Sequence, residues 1–583
     1  MDNLLRRRQV LKALAAAGIG SVVFARALDA LAEEQASVTP EMIAKAEWIS
    51  GLQLTDPQRR LLADKLKASL ADYAKLRAVS IDNAVPPALR FHHSAATEGG
   101  RELPHGSVRT VPAAAISRPE AEEDLAFAPV ARLSELLRTR QVSSVELTRL
   151  YLDRLHRFDP LLACVITYTD DLALRQAEQA DREMASGRWR GPLHGVPWGA
   201  KDLLAVPGYP TTWGANPFRN QVRPEKATVV SRLEEAGAVL VAKTTVGELA
   251  WGDVWFGGMT KNPWKPDQGS SGSSAGSAAA TAAGLLGFAI GTETWGSIIS
   301  PCTRCGVSGL RPTFGRVSRY GAMALAWSMD KIGPIARTVE DLALVFGAIH
   351  GADGRDFHVV DHPFDWPPMR NPSALKVGFA QALFEADYTK EAEKEEEKPG
   401  LKEWQEIDRQ TLKTLGEMGV KLVPVKLPED YPIGSLSLIL TAEASTAFDD
   451  LTRTGRDQLL ARQEADAWPT VFRQGQLIPA VEYLRANRIR TLVMREMERV
   501  LSEIDVYVAP SFVGDNLLMT NLTGHPAVVV PNGFRQSDGT PTSITFMGRL
   551  FGETETLALA RAYQETTGFH LRRPPLGKPQ GNV

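Results

Sequence analysis

Residues 269–284 read GSSGSSAGSAAATAAG: five serines set among glycines, then an uncharged alanine stretch. Residues 288–297, FAIGTETWGS, end on one more serine, Ser297, behind a glycine. Serine hydroxyls in glycine-rich turns suit nucleophilic attack or a cradle for phosphate. The phosphate reading lacks the Gly-Lys-Ser/Thr ending of a Walker loop. A helix that begins near Ser274 turns its free N–H groups toward Gly272 and Ser273, a place that favours developing negative charge. A flexible linker is disfavoured. A solvated spacer is polar, whereas residues 277–287, SAAATAAGLLG, are small, apolar and uncharged, as in a buried helix on a sheet.

Such turns need rigid elements beneath them. From Pro129 onward helix and strand signals alternate. Residues 142–146, VSSVE, offer a cap for a helix ending near Phe158. ACVITY (163–168) is a short β-branched run, and RLEEAGAVLVAKTT (232–245) reads as a helix, a glycine stop and a buried strand. This alternation predicts an α/β sheet with helices on its faces. Upstream, residues 39–77 read as helices. Thr55-Asp56-Pro57 marks a helix start, and Leu61, Leu62, Leu66 and Leu70 recur at helical spacing. Residues 80–123 have no periodicity and read as a surface connector. His92-His93 within it lacks any ligand pattern around it. The charge run 390–404, KEAEKEEEKPGLKEW, is expected to be a solvated helix or loop.

Longer blocks are more specific. PLHGVPWGAKDLLAVPGYPTT (192–212), the Ser/Gly stretch and GTETWGSIISPCTRCGVSGLRPTFGRVS (291–318) resemble the three signature blocks of the amidase signature family. The likeness continues through RLEEAGAVLVAKTT, NPW (262–264), NLTGHPAVVVPNGF and MGRLFGETETLALARAYQ, in unbroken order from 129 to 568. It implies an α/β amidase-signature fold: one large twisted mixed sheet covered by helices on both faces, here with an N-terminal helical extension. It also implies a Ser-Ser-Lys triad, with Ser297 as nucleophile, Ser273 as bridging serine and Lys201 as base. Ser297 follows Ser273 by 24 positions, the spacing of the family's two serines. The resemblance further implies a cis peptide bond between Gly272 and Ser273. It places an oxyanion hole on the backbone N–H groups of Thr294, Trp295, Gly296 and Ser297.

The chemistry is self-consistent. A serine hydroxyl is a poor nucleophile until a base takes its proton. No acid–His–Ser arrangement with a recognisable local motif is present, and a lysine serves as base only when neutral. Moving an amine from about 10.4 to about 7 takes about 4–5 kcal/mol against the charged form. Burial without a carboxylate partner supplies that. Asp202 adjoins Lys201, but neighbouring strand residues face opposite ways. Ser274 and Ser277 are neighbours of the triad, and Ser274 is expected to cap the helix. His194 and His525 are expected to be structural or to line the pocket.

The sequence departs from the family pattern at one turn. Where the family has Gly-Thr-Asp-Thr-Gly-Gly-Ser followed by Ile-Arg, this chain has Gly291-Thr292-Glu293-Thr294-Trp295-Gly296-Ser297 followed by Ile298-Ile299. Joint loss of the Asp and the Arg implies altered support for the turn. Trp295 brings two alternatives: a ring that fills part of the acyl pocket, or a damaged oxyanion turn. Cys302 and Cys305 form a C-x-x-C without a thioredoxin-like context, so packing is expected. Pocket walls are expected from residues 216–226, 323–329 and 444–476.

Composition sets the outer bounds. The 583 residues are 44% hydrophobic and 23% charged, with net charge −3, so nothing favours nucleic acid or an anionic membrane. Three cysteines cannot build a disulfide framework. At the N-terminus, Arg7-Arg8-Gln9-Val10-Leu11-Lys12 resembles a twin-arginine export signal, followed by an apolar stretch too short to span a bilayer. Ala30-Leu31-Ala32 is a cleavage candidate. The expected organisation is a signal peptide at 1–32, a helical extension and connector at 33–128, the amidase signature domain at 129–575 and a tail at 576–583. The expected protein is an exported, periplasmic or secreted amide hydrolase. It works on a small-molecule linear amide without cofactor or metal and has no stable membrane anchor; a homodimer is left open. Two alternatives stand beside it: a glutamine amidohydrolase like the glutaminase component of a tRNA-dependent amidotransferase, and a catalytically impaired binding protein.

Overall fold

The structure, a computed structural model, describes residues 38–81, 85, 87–89, 107–108, 116–369, 371–392 and 394–576. The expected export signal, His92-His93 and residues 577–583 lie outside the described residues.

Eleven short runs rich in β-branched or small residues form one sheet: β1 Val165–Tyr168, β2 Pro197–Lys201, β3 Val239–Thr244, β4 Phe288–Glu293, β5 Ser308–Arg311, β6 Lys331–Ala336, β7 Val377–Phe379, β8 Leu422–Pro424, β9 Val506–Pro510, β10 Ala527–Phe534 and β11 Pro541–Gly548. Their order is β1-β3-β2-β4-β6-β5-β10-β11-β9-β7-β8. The sheet is mixed. β2 runs parallel to β3 and β4, whereas β6 is antiparallel to β4 and β5. This is the amidase-signature architecture that the resemblance implied.

Side chains alternate across the sheet and feed two cores, because successive strand residues point to opposite faces. Along β10, Val528 and Val530 join one core while Ala527 and Val529 join the other. Along β4, Phe288 and Ile290 face the first and Ala289 the second. The helix Ala275–Ala282 is buried at every position. Its alanines let the helix axis lie close to the sheet, which is why this uncharged stretch is a core element and not a spacer.

The helix over Ser144–Leu162 starts as expected, with Ser143 Oγ accepting from Glu146 N at 3.0 Å. It runs one turn beyond Phe158. Leu162 is fully buried, and the Asp159 carboxylate accepts from the Cys164 and Val165 N–H groups at 2.7 and 2.8 Å. The upstream helices are Pro40–Ser50 and Asp56–Ala78. Thr55 N donates to Gln58 Oε1 at 2.8 Å at the second start. The buried face of that helix differs from the leucine spacing. Leu62, Ala63, Tyr73 and Leu76 face inward, while Leu61 and Leu70 are exposed. Arg77 reaches Glu482 at 2.7 Å, which fixes the helix on the main body.

Candidate active site

Lys201 ends β2, and Thr292 lies near the end of the parallel neighbour β4. Loop 270–274 and the turn 294–297 approach from above these strand ends. The peptide bond Gly272–Ser273 is cis. Only glycine fits at 272, since a Cβ there would stand 1.8 Å from the Gly252 carbonyl oxygen. The loop and the turn are tied together: Ser274 N donates to Ser297 O at 3.1 Å, and the Ser271 and Ser300 hydroxyls lie 2.7 Å apart.

Lys201 is completely buried. Its Nζ meets Ser273 Oγ at 2.9 Å, Ser274 Oγ at 3.0 Å, Thr292 Oγ1 at 2.7 Å and Thr292 O at 3.3 Å. Burial pulls this amine well below its ordinary range; the more distant Asp330 and Glu293 oppose the shift without cancelling it. A neutral amine offers two N–H donors and one lone pair. Ser274 cannot supply a proton to that lone pair, because its hydroxyl donates to Thr292 O at 3.1 Å and accepts from Thr292 N at 3.1 Å. Ser273 has no such commitment, as its hydroxyl meets Lys201 alone among the described residues. The arrangement can therefore pass a proton from the Ser273 hydroxyl to Nζ.

Ser274 thus departs from its expected role. It occupies the residue before the helix, yet its side chain caps nothing. The hydroxyl is drawn instead to the polar groups of Thr292 and Lys201, which need partners in a dry setting.

Ser297 is 8% exposed and its hydroxyl has no hydrogen-bond partner among the described residues. The structure joins Lys201 to Ser273 directly and brings Ser297 to them through its backbone. Gly296 adopts φ +84°, which turns the chain between Trp295 and Ser297. Trp295, Gly296 and Ser297 donate no backbone hydrogen bond to a described residue. Such free N–H groups can receive an oxyanion.

Trp295 is 44% exposed. Of the two alternatives that the sequence leaves for Trp295, a ring in the acyl pocket and a damaged oxyanion turn, the structure shows an indole partly open to solvent beside the left-handed Gly296. Glu293 explains how the turn holds without the family's Asp and Arg. Its carboxylate is fully buried and accepts from Ile298 N and Ile299 N at 2.9 and 3.0 Å. It also pairs with Arg311 at 2.8 Å and accepts from Asn521 Nδ2 at 2.9 Å. Burial raises a carboxyl group, yet Arg311 and these N–H donors hold Glu293 below its usual value.

Further residues were missed from sequence. Asp330 Oδ1 accepts from the Thr294 hydroxyl at 2.6 Å, and its other oxygen accepts from Leu325 N and Ala326 N at 2.8 and 3.0 Å. It fastens the turn to the 323–329 loop. Arg311 lies within a quoted signature block, so position could have flagged it; Asp330 and Asn521 carry no local signal.

Asp202 turns away from Lys201 as expected. It meets Lys243 at 2.5 Å and accepts from Thr212 N at 2.8 Å. Cys302 and Cys305 are buried free thiols, and burial pushes both up. His194 Nδ1 accepts from Arg190 N at 3.2 Å, and His525 Nδ1 lies 2.7 Å from the Thr523 hydroxyl. Burial lowers His525 to about 3. Met323, Leu325, Ala444, Phe448, Trp468 and Phe472 join one apolar cluster with Leu203, so two of the three expected wall loops meet beside β2; Phe218 from the third packs against it. Among the described residues no group of three His, Cys, Asp or Glu is placed to hold a metal, and no helix is long and apolar enough to cross a membrane.

The family model described as Amidase matches residues 146–517. The chain is 35% identical over 494 residues to the A subunit of the glutamyl-tRNA(Gln) amidotransferase of Marinomonas sp. (strain MWYL1), covering 77% of this chain and 99% of that protein. The same-named protein of Chloroflexus aurantiacus (strain ATCC 29366 / DSM 635 / J-10-fl) is 35% identical over 481 residues, covering 75% and 96%. Among solved structures, the native peptide amidase from Stenotrophomonas maltophilia matches with a TM-score of 0.66 and 29% identity, over 77% of this chain and 98% of that one. An amidase family protein from Bacillus anthracis str. Ames matches with a TM-score of 0.67 and 26% identity, over 78% and 94%.

Proposed function

The chain belongs to the amidase family, and on that footing we propose that it hydrolyses the C–N bond of a linear small-molecule amide through an acyl-Ser297 intermediate. The observation that carries this reading is Lys201: a buried amine with no carboxylate in contact, hydrogen-bonded to Ser273 at 2.9 Å on a loop tied to Ser297. Neutral Lys201 draws the Ser273 proton, and Ser273 in turn takes the proton of Ser297 as its oxygen attacks the amide carbon. The N–H groups of the Thr294–Ser297 turn stabilise the oxyanion; one such donor is typically worth about 10²–10³ in rate. The proton returns through Ser273 to the departing nitrogen, and water then resolves the acyl-enzyme by the same relay. No cofactor or metal enters this scheme.

Purified protein should release carboxylic acid and ammonia from simple amides, and Ser297→Ala should release neither. Equal activity in the two proteins would remove the reading. A glutamine amidohydrolase is the second reading, supported by the 35% identity to the amidotransferase relative. Ammonia from glutamine far in excess of that from simple amides would favour it. The twin-arginine sequence favours the first reading, as an exported chain is separated from cytoplasmic partners. Arg7→Lys with Arg8→Lys should leave precursor in the cytoplasm, and unchanged delivery would withdraw the export proposal.

A further inference from the structure

Ser271 stands two residues before Ser273, in a left-handed conformation with φ +59°. A residue with a side chain rarely adopts that φ, and it persists where the surroundings over-determine it. Two contacts do so here. The Ser271 N–H donates to Asp253 Oδ2 at 2.8 Å, and its hydroxyl lies 2.7 Å from the Ser300 hydroxyl.

The local chain is arranged around Asp253. A short hairpin, Val254–Trp255 paired with Gly258–Met259, begins directly after it. Thr260 N closes the foot of the hairpin by donating to Asp253 O at 3.0 Å. The chain then returns past the same residue. Ser270 N donates to Thr260 O at 2.9 Å, and a Cβ at Gly269 would stand 2.1 Å from Asp253 Oδ2. The loop 269–272 thus winds closely against one carboxylate, and a carboxylate oxygen accepting a backbone N–H makes a strong hydrogen bond.

Ser300 carries the tie onward. It lies in the first turn of the helix Ile299–Cys305, and its own N–H donates to Gly296 O at 2.7 Å. Asp253, Ser271, Ser300 and Gly296 therefore form a continuous line from the Ser273 loop to the turn that carries Ser297. Ser273 and Ser274 are held by backbone bonds, Gly247 N to Ser273 O at 3.3 Å and Ser274 N to Ser297 O at 3.1 Å. At Ser271 side chains do the holding.

Resting on the proposed acyl-Ser297 reading, we infer that Asp253 is a positioning residue for Ser273: through Ser271 it sets where the bridging hydroxyl stands between Lys201 and Ser297. Asp253 makes no hydrogen bond to Lys201, Ser273 or Ser297 among the described residues, so its effect runs through the loop. A relay needs Ser273 within reach of both partners, and a misplacement of about 1 Å costs about 10² in rate.

The test measures kcat and KM for ammonia release from propionamide, and the rate of Ser297 labelling by a fluorophosphonate. The variants are Asp253→Ala, Asp253→Asn and Ser271→Ala, each with Ser273 intact and with Ser273→Ala. With Ser273 intact, Asp253→Ala should lower kcat and the labelling rate about ten- to a hundredfold, with KM within about threefold. Asp253→Asn, which keeps an oxygen for the Ser271 N–H, should stay within about fivefold of the wild type. Ser271→Ala, which keeps the N–H and loses the tie to Ser300, should cost several-fold. In the Ser273→Ala background all three changes should alter the residual labelling rate by less than about twofold, because the hydroxyl they place is gone. A merely structural role lowers the rate equally in both backgrounds. Melting curves check folding, and where Asp253→Ala does not fold, Ser271→Ala in the two backgrounds decides. Equal losses in both backgrounds, or a folded Asp253→Ala within about twofold of the wild type, overturns the inference and leaves the hydrolase reading intact. A wild type that neither releases ammonia nor labels at Ser297 defeats the hydrolase reading, and this inference with it.

Discussion

Two buried lysines stand on neighbouring parallel strands, in different chemistry. In the β2–β3 register, Lys201 lies opposite Thr244 and Ala200 opposite Lys243. Both amines are fully buried. Lys243 has the carboxylate of Asp202 at 2.5 Å and donates to Pro210 O at 2.5 Å. Lys201 has three hydroxyls and one carbonyl. Burial lowers both, but at Lys243 the Asp202 charge opposes it from within contact, whereas at Lys201 the opposing charges are distant. At Lys243 a contacting carboxylate offsets burial and favours an ion pair; at Lys201 no contacting charge does, which favours the free amine that a base requires. Alternation along β2 produces the contrast, because it sends Asp202 away from the side chain of Lys201.

Lys201→Met should break the comparison most severely. Stopped-flow or steady-state kcat/KM should fall by about 10³ or more, since groups that act as a unit fail together. In the wild type, the folded-state amine titrates below its unfolded value, so kcat/KM should fall as pH drops through that lowered value; the variant's residual rate should lack this limb. Linkage gives a second sign. Between the lowered folded value and about 10.4, the unfolded chain binds a proton that the folded chain does not, so Lys201 makes stability rise with pH. Denaturant titrations across that window should show a shallower rise in the variant.

Lys243→Met should behave in the opposite way. It leaves Asp202 as an unpaired buried carboxylate, which costs about 3–5 kcal/mol when one partner of a buried pair is removed. Urea denaturation should register that loss, while the acid limb of the surviving activity keeps its midpoint. A shifted limb would mean that the two lysines are one coupled system.

Glu293→Gln sharpens the contrast on the other side of Lys201. It weakens the pair with Arg311 and the hold on Ile298 N and Ile299 N. We expect kcat to fall about 10–10², with KM little changed, because the oxyanion turn loosens while the cavity walls stay. Trp295→Ala gives the smallest effect. The indole is 44% exposed, so thermal melting should register a loss below about 1 kcal/mol, the usual scale for surface changes being about 0.5 kcal/mol.

The same contrast separates what was legible in sequence from what was not. The buried helix Ala275–Ala282 and the strands β1, β3 and β4 follow from local composition: small uncharged residues, β-branched runs and glycine stops. The opposed directions of Lys201 and Asp202 follow from strand period alone. Partnerships across long separations do not. Glu293 meets Asn521 228 positions away, and no local pattern announces it. Ser274 looked like a helix cap because a serine before a helix usually is one. A buried lysine and threonine nearby outbid the helix N–H groups for its hydroxyl. For Trp295 the sequence left two alternatives open, because the direction of its indole depends on the left-handed Gly296 that follows it and no local pattern announces that direction. The leucines at 61 and 70 satisfy helical spacing and still face solvent, since spacing defines a stripe without saying which stripe meets the body.

The central claim is that Lys201, as a neutral amine, activates Ser297 through Ser273. The most direct measurement is the pH dependence of labelling by a serine-directed fluorophosphonate, with the adduct mapped by mass spectrometry in the wild type and in Lys201→Met. The account predicts an adduct on Ser297 whose rate of formation rises with pH through a single titration in the wild type. It predicts that in Lys201→Met labelling is slower by orders of magnitude and lacks that titration. Wild-type labelling at another residue, or rapid labelling of Ser297 with the same pH profile in Lys201→Met, would contradict it.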